Sequence, residues 1–326
     1  MMRVRIFKNW IEPDLLRQTP GGSGIWQDWK YEIGEADADA DWVLALNNRF
    51  DQDQYVQAAP QRVVALMQEP FVPGFTDWMD RGLESFATVF SSHQPSKCAV
   101  WRRSHPAVAW HVNRSYDQLM AMRPDERPRL ASWICGGARA LPGHRVRLKF
   151  LRRVQGGLGR DIDLFGRAVT PIDDKWDGLA PYCYSLAIEN TVARDYWTEK
   201  IADCFLAWTC PIYHGAPNLE EYFPEEAFIR IDIQRPREAM RTIRAVLDSG
   251  DREWRRRLEA IDKARRLVLE RWQLFPFMTD QLRGLSGPVS PVYDIRIPAY
   301  RPTLASSLRR RWSRWRGTVS SLIRSH

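Results

Sequence analysis

The stretch SLAIENTVARDYWTEK, residues 185–200, places a carboxylate and an amide (Glu189, Asn190), a tyrosine (Tyr196) and an adjacent acid and base (Glu199, Lys200) within sixteen residues. The preceding run YCYSLAI (182–188) is almost wholly apolar, the pattern of a strand buried on both faces. Downstream, Ile201, Cys204, Phe205 and Trp208 recur at i, i+3, i+4 and i+7, which predicts a helix with Thr198 as its N-cap. Glu189 and Asn190 therefore end a strand, and Glu199 and Lys200 occupy the first turn of the next helix. In open α/β sheets ligands bind beyond the carboxyl ends of strands, where free N–H groups and the helix dipole favour phosphate. A lysine in that turn faces the positive end of the dipole. Either a bound anion or a side chain turned to solvent relieves the conflict.

The elements around this stretch have to position it. RVRIFKNW (3–10), DWVLALNN (41–48) and RVVALMQEP (62–70) read as short strands of an α/β N-terminal half, separated by polar helical or loop segments. MRPDERPRL (122–130) is a proline-bearing linker. Beyond it, strands LASWICGG, DIDLFG, CYSLAIEN, CPIYHG and AFIRID alternate with helices RVRLKFLRRV and TEKIADCFLAW, which argues for a parallel, doubly wound sheet. Helical periodicity follows from Pro236 and again over 251–275.

The 326 residues, 44% hydrophobic, suffice for two domains, and the net charge of +8 invites an anionic partner without choosing one. Cys98, Cys135, Cys183, Cys204 and Cys210 show neither zinc-site pairing nor the density of a secreted scaffold, so they read as reduced core thiols of a cytoplasmic protein. No secretory h-region and no run of about 18 apolar residues occurs, and the expectation is a chain that neither carries a signal peptide nor spans a membrane.

Asn190, Tyr196, the Thr198-Glu199-Lys200 triplet, Pro211, Gly215 and FPEEAFIRID (223–232) together resemble the donor-binding motif of the α-1,3/4-fucosyltransferases, glycosyltransferase family 10, of bacterial type. Upstream, RLKFLRRV (147–154) resembles the family segment in which an arginine opens a helix. DLFG (163–166) and Glu69-Pro70 resemble further family segments, although the serine usual between acid and proline is missing. The resemblance implies two facing Rossmann-like domains of GT-B type: an acceptor domain over 1–125, a nucleotide-sugar domain over 126–275 and a C-terminal extension over 276–326. It implies an inverting, metal-independent transfer of fucose from GDP-fucose to a glycan hydroxyl in bacterial cell-surface glycan synthesis, with no further cofactor. Arg147 and Lys200 would hold the diphosphate and Glu199 the ribose. Asn190 and Tyr196 would line the fucose and phosphate end, and Glu69 would be the general base. A related transferase with another nucleotide sugar, or a non-catalytic sugar-nucleotide-binding protein, are the alternatives.

The D-x-D within EADADADW (35–42) reads as a solvated acidic loop rather than a metal signature, and the six histidines show no metal-ligand spacing. His214, beside Gly215, reads as a loop residue within possible reach of the donor. No nucleic-acid motif interleaves aromatics with the arginines. From Leu304, Leu308, Trp312, Trp315, Val319 and Leu322 fall on one helical stripe, and six arginines lie among them without an acid; removing those six takes the net charge from +8 to +2. Such a tail, 304–326, suits an anionic membrane surface and a lipid-linked glycan acceptor on the inner face.

Overall fold

The computed structural model describes residues 1–34, 40–167, 169–285, 287–288 and 290–301. The basic tail and most of the acidic loop at 35–42 lie outside them.

The first half carries strands β1 (Met2–Phe7), β2 (Ile25–Trp26), β3 (Trp29–Ile33), β4 (Trp42–Leu46), β5 (Gln54–Ala58), β6 (Val63–Leu66), β7 (Thr88–Ser91) and β8 (Trp101–Arg103). All but β5 form a seven-stranded sheet in the order β2-β3-β1-β4-β6-β7-β8, parallel except where β2 meets β3. Its centre is set by WVLAL and VVAL, whose residues are all buried. Because side chains alternate along a strand, Trp42, Leu44 and Leu46 enter one core while Val43 and Ala45 enter the other. Among the described residues the connections here are loops and short 3-10 turns, since no segment between these strands carries an apolar 3.6-residue repeat.

The second half runs α1 (Tyr116–Ala121), β9 (Arg129–Ile134), α2 (Pro142–Leu158), β10 (Asp163–Phe165), β11 (Tyr182–Ile188), α3 (Glu199–Leu206), β12 (Cys210–His214), β13 (Ile229–Arg230), α4 (Pro236–Asp248) and α5 (Arg252–Leu267). The five strands form a parallel sheet in the order β10-β9-β11-β12-β13. Every residue of β11 is buried, as its apolar run requires.

The periodicity over 251–275 does not make one helix. After a π-helical turn at Val268–Trp272, Gln273 takes an extended backbone, accepts from the Phe275 N–H at 3.1 Å and donates to the Gln18 carbonyl at 3.1 Å. The chain thereby crosses back, and α6 (Leu274–Arg283) lays Phe275, Met278 and Leu282 on the first sheet. A last strand, β14 (Tyr293–Ile297), pairs antiparallel with β5. The halves are also joined through buried His105, whose ring stacks on Trp197 at 4.7 Å and touches Phe277 of α6 at 4.4 Å.

All five cysteines are free thiols; four are buried and Cys98 is half-buried. Among the described residues no helix is long and apolar enough to cross a membrane.

Candidate active site

The carboxyl ends of β4 and β6 face those of β9 and β11 across a cleft containing two adjoining cavities, of about 570 and 1370 Å³. Glu69 and Tyr196 line the smaller cavity and Arg147 the larger. Asn190, Glu199 and Lys200 line both, so all six residues singled out in the sequence come together.

Lys200 is held by a buried ionic cluster. Its Nζ lies 3.2 Å from Glu189 Oε2, 3.4 Å from Glu199 Oε1 and 2.9 Å from the Thr198 hydroxyl. Lys175, from the turn before β11, approaches the same Glu199 oxygen at 3.3 Å and Asp203 at 3.2 Å. Burial opposes ionisation of Glu199, yet Lys200 and Lys175 outweigh it and hold its carboxyl well below the usual range. For Lys200 burial is likewise outweighed, by Glu189 and Glu199, and the ammonium titrates above its ordinary value. Glu189 accepts from the Thr198 N–H at 2.9 Å and hydroxyl at 2.8 Å, tying the end of β11 to the start of α3. Thr198 caps α3 as the spacing predicts. Gly215 makes room for this: a Cβ there would lie 2.2 Å from the Tyr213 hydroxyl and 2.6 Å from Glu189 Cγ.

Arg147 does not open its helix. Pro142 does, because its fixed φ and missing N–H suit the first helical position, so Arg147 projects from the second turn. The guanidinium is buried, reaches the Gly136 carbonyl only at 3.5 Å and leaves Nε without a hydrogen-bond acceptor. A buried cation with an unmatched donor beside a cavity is suited to an anion. Gly143 lets the start of α2 abut the Asn190 backbone, whose carbonyl oxygen would sit 1.6 Å from an added Cβ. His144 lies between two partners: its Nδ1 is 3.2 Å from the Leu141 N–H and its Nε2 is 3.0 Å from Asn190 Nδ2. Burial, then Arg147 and Lys200, push the His144 pKa down to about 4 and keep the ring neutral near pH 7. The Tyr196 hydroxyl lies 3.5 Å from the same amide.

Glu69 stands three residues past β6 on the opposite wall. The preceding Gln68 fixes it: its N–H donates to Asn47 at 2.8 Å, and its side-chain amide donates to the carbonyls of Pro106 and Ala107 at 3.1 and 3.2 Å. The Glu69 carboxylate is open to cleft solvent but walled by protein, and this desolvation raises its pKa despite Lys200 and Arg49.

Sequence reasoning gave no role to Glu189, His144, Lys175 or Gln68. Glu189 was visible in the quoted stretch; the other three act through contacts tens of residues distant, for which no local pattern exists. His214 is not a loop residue: it ends β12, is buried beside the Ile231 carbonyl at 3.3 Å and lines neither cavity. Among the described residues no group of three His, Cys, Asp or Glu side chains is placed to hold a metal ion.

Two parallel α/β sheets facing across a ligand-sized cleft define the GT-B class of architecture. Alr3699/HepE of Anabaena, solved in complex with UDP, matches it over 87% of this chain and 99% of that one, with a TM-score of 0.50 at 9% identity. Residues 125–267 match the family model described as glycosyltransferase family 10 (fucosyltransferase) C-term. GDP-fucose protein O-fucosyltransferase 3 of Gallus gallus is 33% identical over 104 residues, 31% of this chain and 22% of that one. The alpha-(1,3)-fucosyltransferase FucT of Helicobacter pylori is 28% identical over 150 residues, 44% of this chain and 28% of that one. The alignments thus span less than a third of either relative.

Proposed function

We propose that this protein is an inverting, metal-independent glycosyltransferase that moves fucose from GDP-fucose to a glycan hydroxyl. The observation that carries the reading is the convergence of Glu69 from one domain with Asn190, Tyr196 and Lys200 from the other on one cavity, next to a second cavity holding Arg147. The names of the relatives supply the donor.

In this reading the diphosphate binds Arg147 and Lys200, and Glu199 accepts from the ribose hydroxyls. Asn190, oriented by His144, and Tyr196 contact the fucose and its phosphate. Glu69 takes the proton of the acceptor hydroxyl as that oxygen bonds to the anomeric carbon. The bond from that carbon to the phosphate oxygen breaks on the opposite side, so the centre inverts. The charge growing on GDP is stabilised by the two cations in a partly dry site. A raised Glu69 pKa makes a stronger base than an ordinary surface carboxylate.

A thermal-shift comparison of GDP-fucose, GDP-mannose and UDP-glucose tests the donor. Ligand linkage gives about 2.7 kcal/mol of stabilisation at a hundredfold excess over the dissociation constant. GDP-fucose is expected to raise the melting temperature most; a larger shift with UDP-glucose assigns the site to another nucleotide sugar.

The tail, 304–326, belongs to the same proposal. Its arginines and two tryptophans hold the enzyme on the inner, cytoplasmic membrane face, where lipid-linked glycans serve as acceptors for cell-surface glycan synthesis. Full-length protein is expected to float with liposomes containing anionic lipid at low salt and to be released by added salt. Flotation that survives truncation after Tyr300 would remove the tail from this role.

A further inference from the structure

The larger cavity is lined by chemically different groups. Arg147 and Lys200 line it, and so do Ile134, the last residue of β9, and Pro171, Ile172 and Asp173 of the loop before β11. Ile134 and Ile172 converge over Gly178, where a Cβ would sit 3.0 Å from one Cδ1 and 2.9 Å from the other. Both are only partly buried, so they offer an apolar face to the cavity.

The loop that presents Asp173 is pinned by its neighbour. Asp174 Oδ1 accepts from the N–H groups of Asn113 at 3.0 Å and Trp176 at 2.9 Å, and its Oδ2 meets Arg114 at 3.0 Å. That carboxylate is committed to structure. Asp173 is exposed, lines the cavity and makes no side-chain hydrogen bond or ion pair among the described residues. An apolar face beside an uncommitted acceptor-only group, in a cavity that two cations also line, offers the components that a nucleoside diphosphate requires.

We propose that Asp173 reads the base of the bound nucleotide and selects guanine. The inference rests on the cleft being a nucleotide-sugar site. A carboxylate only accepts hydrogen bonds, and guanine presents two adjacent donors, N1–H and the N2 amino group, that match its two oxygens. Uracil places its single N3–H between two carbonyls, which a carboxylate repels, and adenine sets a ring acceptor beside its amine. The base then lies against Ile134 and Ile172 with its donor edge on Asp173. A site built around that pair rejects an analogue that leaves the carboxylate unmatched.

The test is calorimetric binding of GDP, inosine diphosphate, xanthosine diphosphate and UDP to the full chain and to its Asp173→Asn and Arg147→Ala variants. Inosine lacks the N2 amine, and xanthosine carries a carbonyl in its place. The unsubstituted protein is expected to bind GDP about ten- to a hundredfold more tightly than inosine diphosphate, the range for a charged hydrogen bond, and xanthosine diphosphate more weakly still. Asp173→Asn, nearly isosteric, turns an acceptor into a donor at one atom, so the preference is expected to reverse toward xanthosine diphosphate. Arg147→Ala is expected to weaken both purine diphosphates by the same factor, because it touches only the phosphates. If Asp173→Asn keeps the original affinities and order while the unsubstituted protein binds GDP, the assignment of Asp173 is wrong and the donor reading survives. If the unsubstituted protein binds none of the four nucleotides, or prefers UDP, both fall.

Discussion

Replacing Glu69 by glutamine is expected to lower turnover of GDP-fucose about a hundredfold or more while leaving GDP affinity unchanged, since general-base catalysis contributes roughly 10² to 10⁴. The substitution keeps shape and removes only the capacity to take a proton. The pH profile adds an independent signature. Glu69 works as the ionised base, and cleft burial lifts its pKa above the ordinary glutamate value. Activity at limiting substrate therefore rises with pH through that raised pKa and levels above it. In Glu69→Gln the acid limb disappears together with most of the rate. Near-normal turnover in the variant, or an unchanged acid limb, would transfer the base role to another carboxylate of the cleft.

Lys200→Ala is expected to have two separable consequences. It removes a phosphate ligand, weakening GDP by about 1.5 to 3 kcal/mol, as for loss of a charged hydrogen bond. It also strands Glu189, whose side chain is 0% exposed, without its ammonium partner. Loss of one member of a buried pair costs about 3 to 5 kcal/mol, and the lower end applies because Lys200 keeps 24% of its side chain exposed. Adding Glu189→Gln removes the stranded charge, so the double variant should regain stability but not GDP affinity. Urea unfolding and calorimetry read the two separately. Affinity that returns along with stability would make Lys200 a structural residue rather than a phosphate ligand.

The second domain was legible because its strands are buried on both faces and its helices amphipathic, as in YCYSLAI followed by the repeat from Ile201. The first domain was legible only at β1, β4 and β6, where the apolar runs are strongest. The return of α6 to the first sheet was not, because what breaks the helix is a glutamine whose bonds reach Gln18. The site divides in the same way. Thr198-Glu199-Lys200 and Asn190 stand on adjoining elements and carry a local pattern. Lys175, His144 and Gln68 enter through the folded chain alone. Arg147 stands in the second turn of α2 and not at its start because Pro142, five residues upstream, opens the helix.

The most direct test of the account is proton NMR of the full chain incubated with GDP-fucose and a chelator, following GDP release and the anomer of the sugar first formed, with water or an added glycan as acceptor. The account predicts consumption of GDP-fucose in the presence of chelator, a product of inverted anomeric configuration, and loss of both signals in Glu69→Gln. A product that retains the donor's configuration, or a GDP-fucose sample left intact by protein that binds GDP, would contradict it.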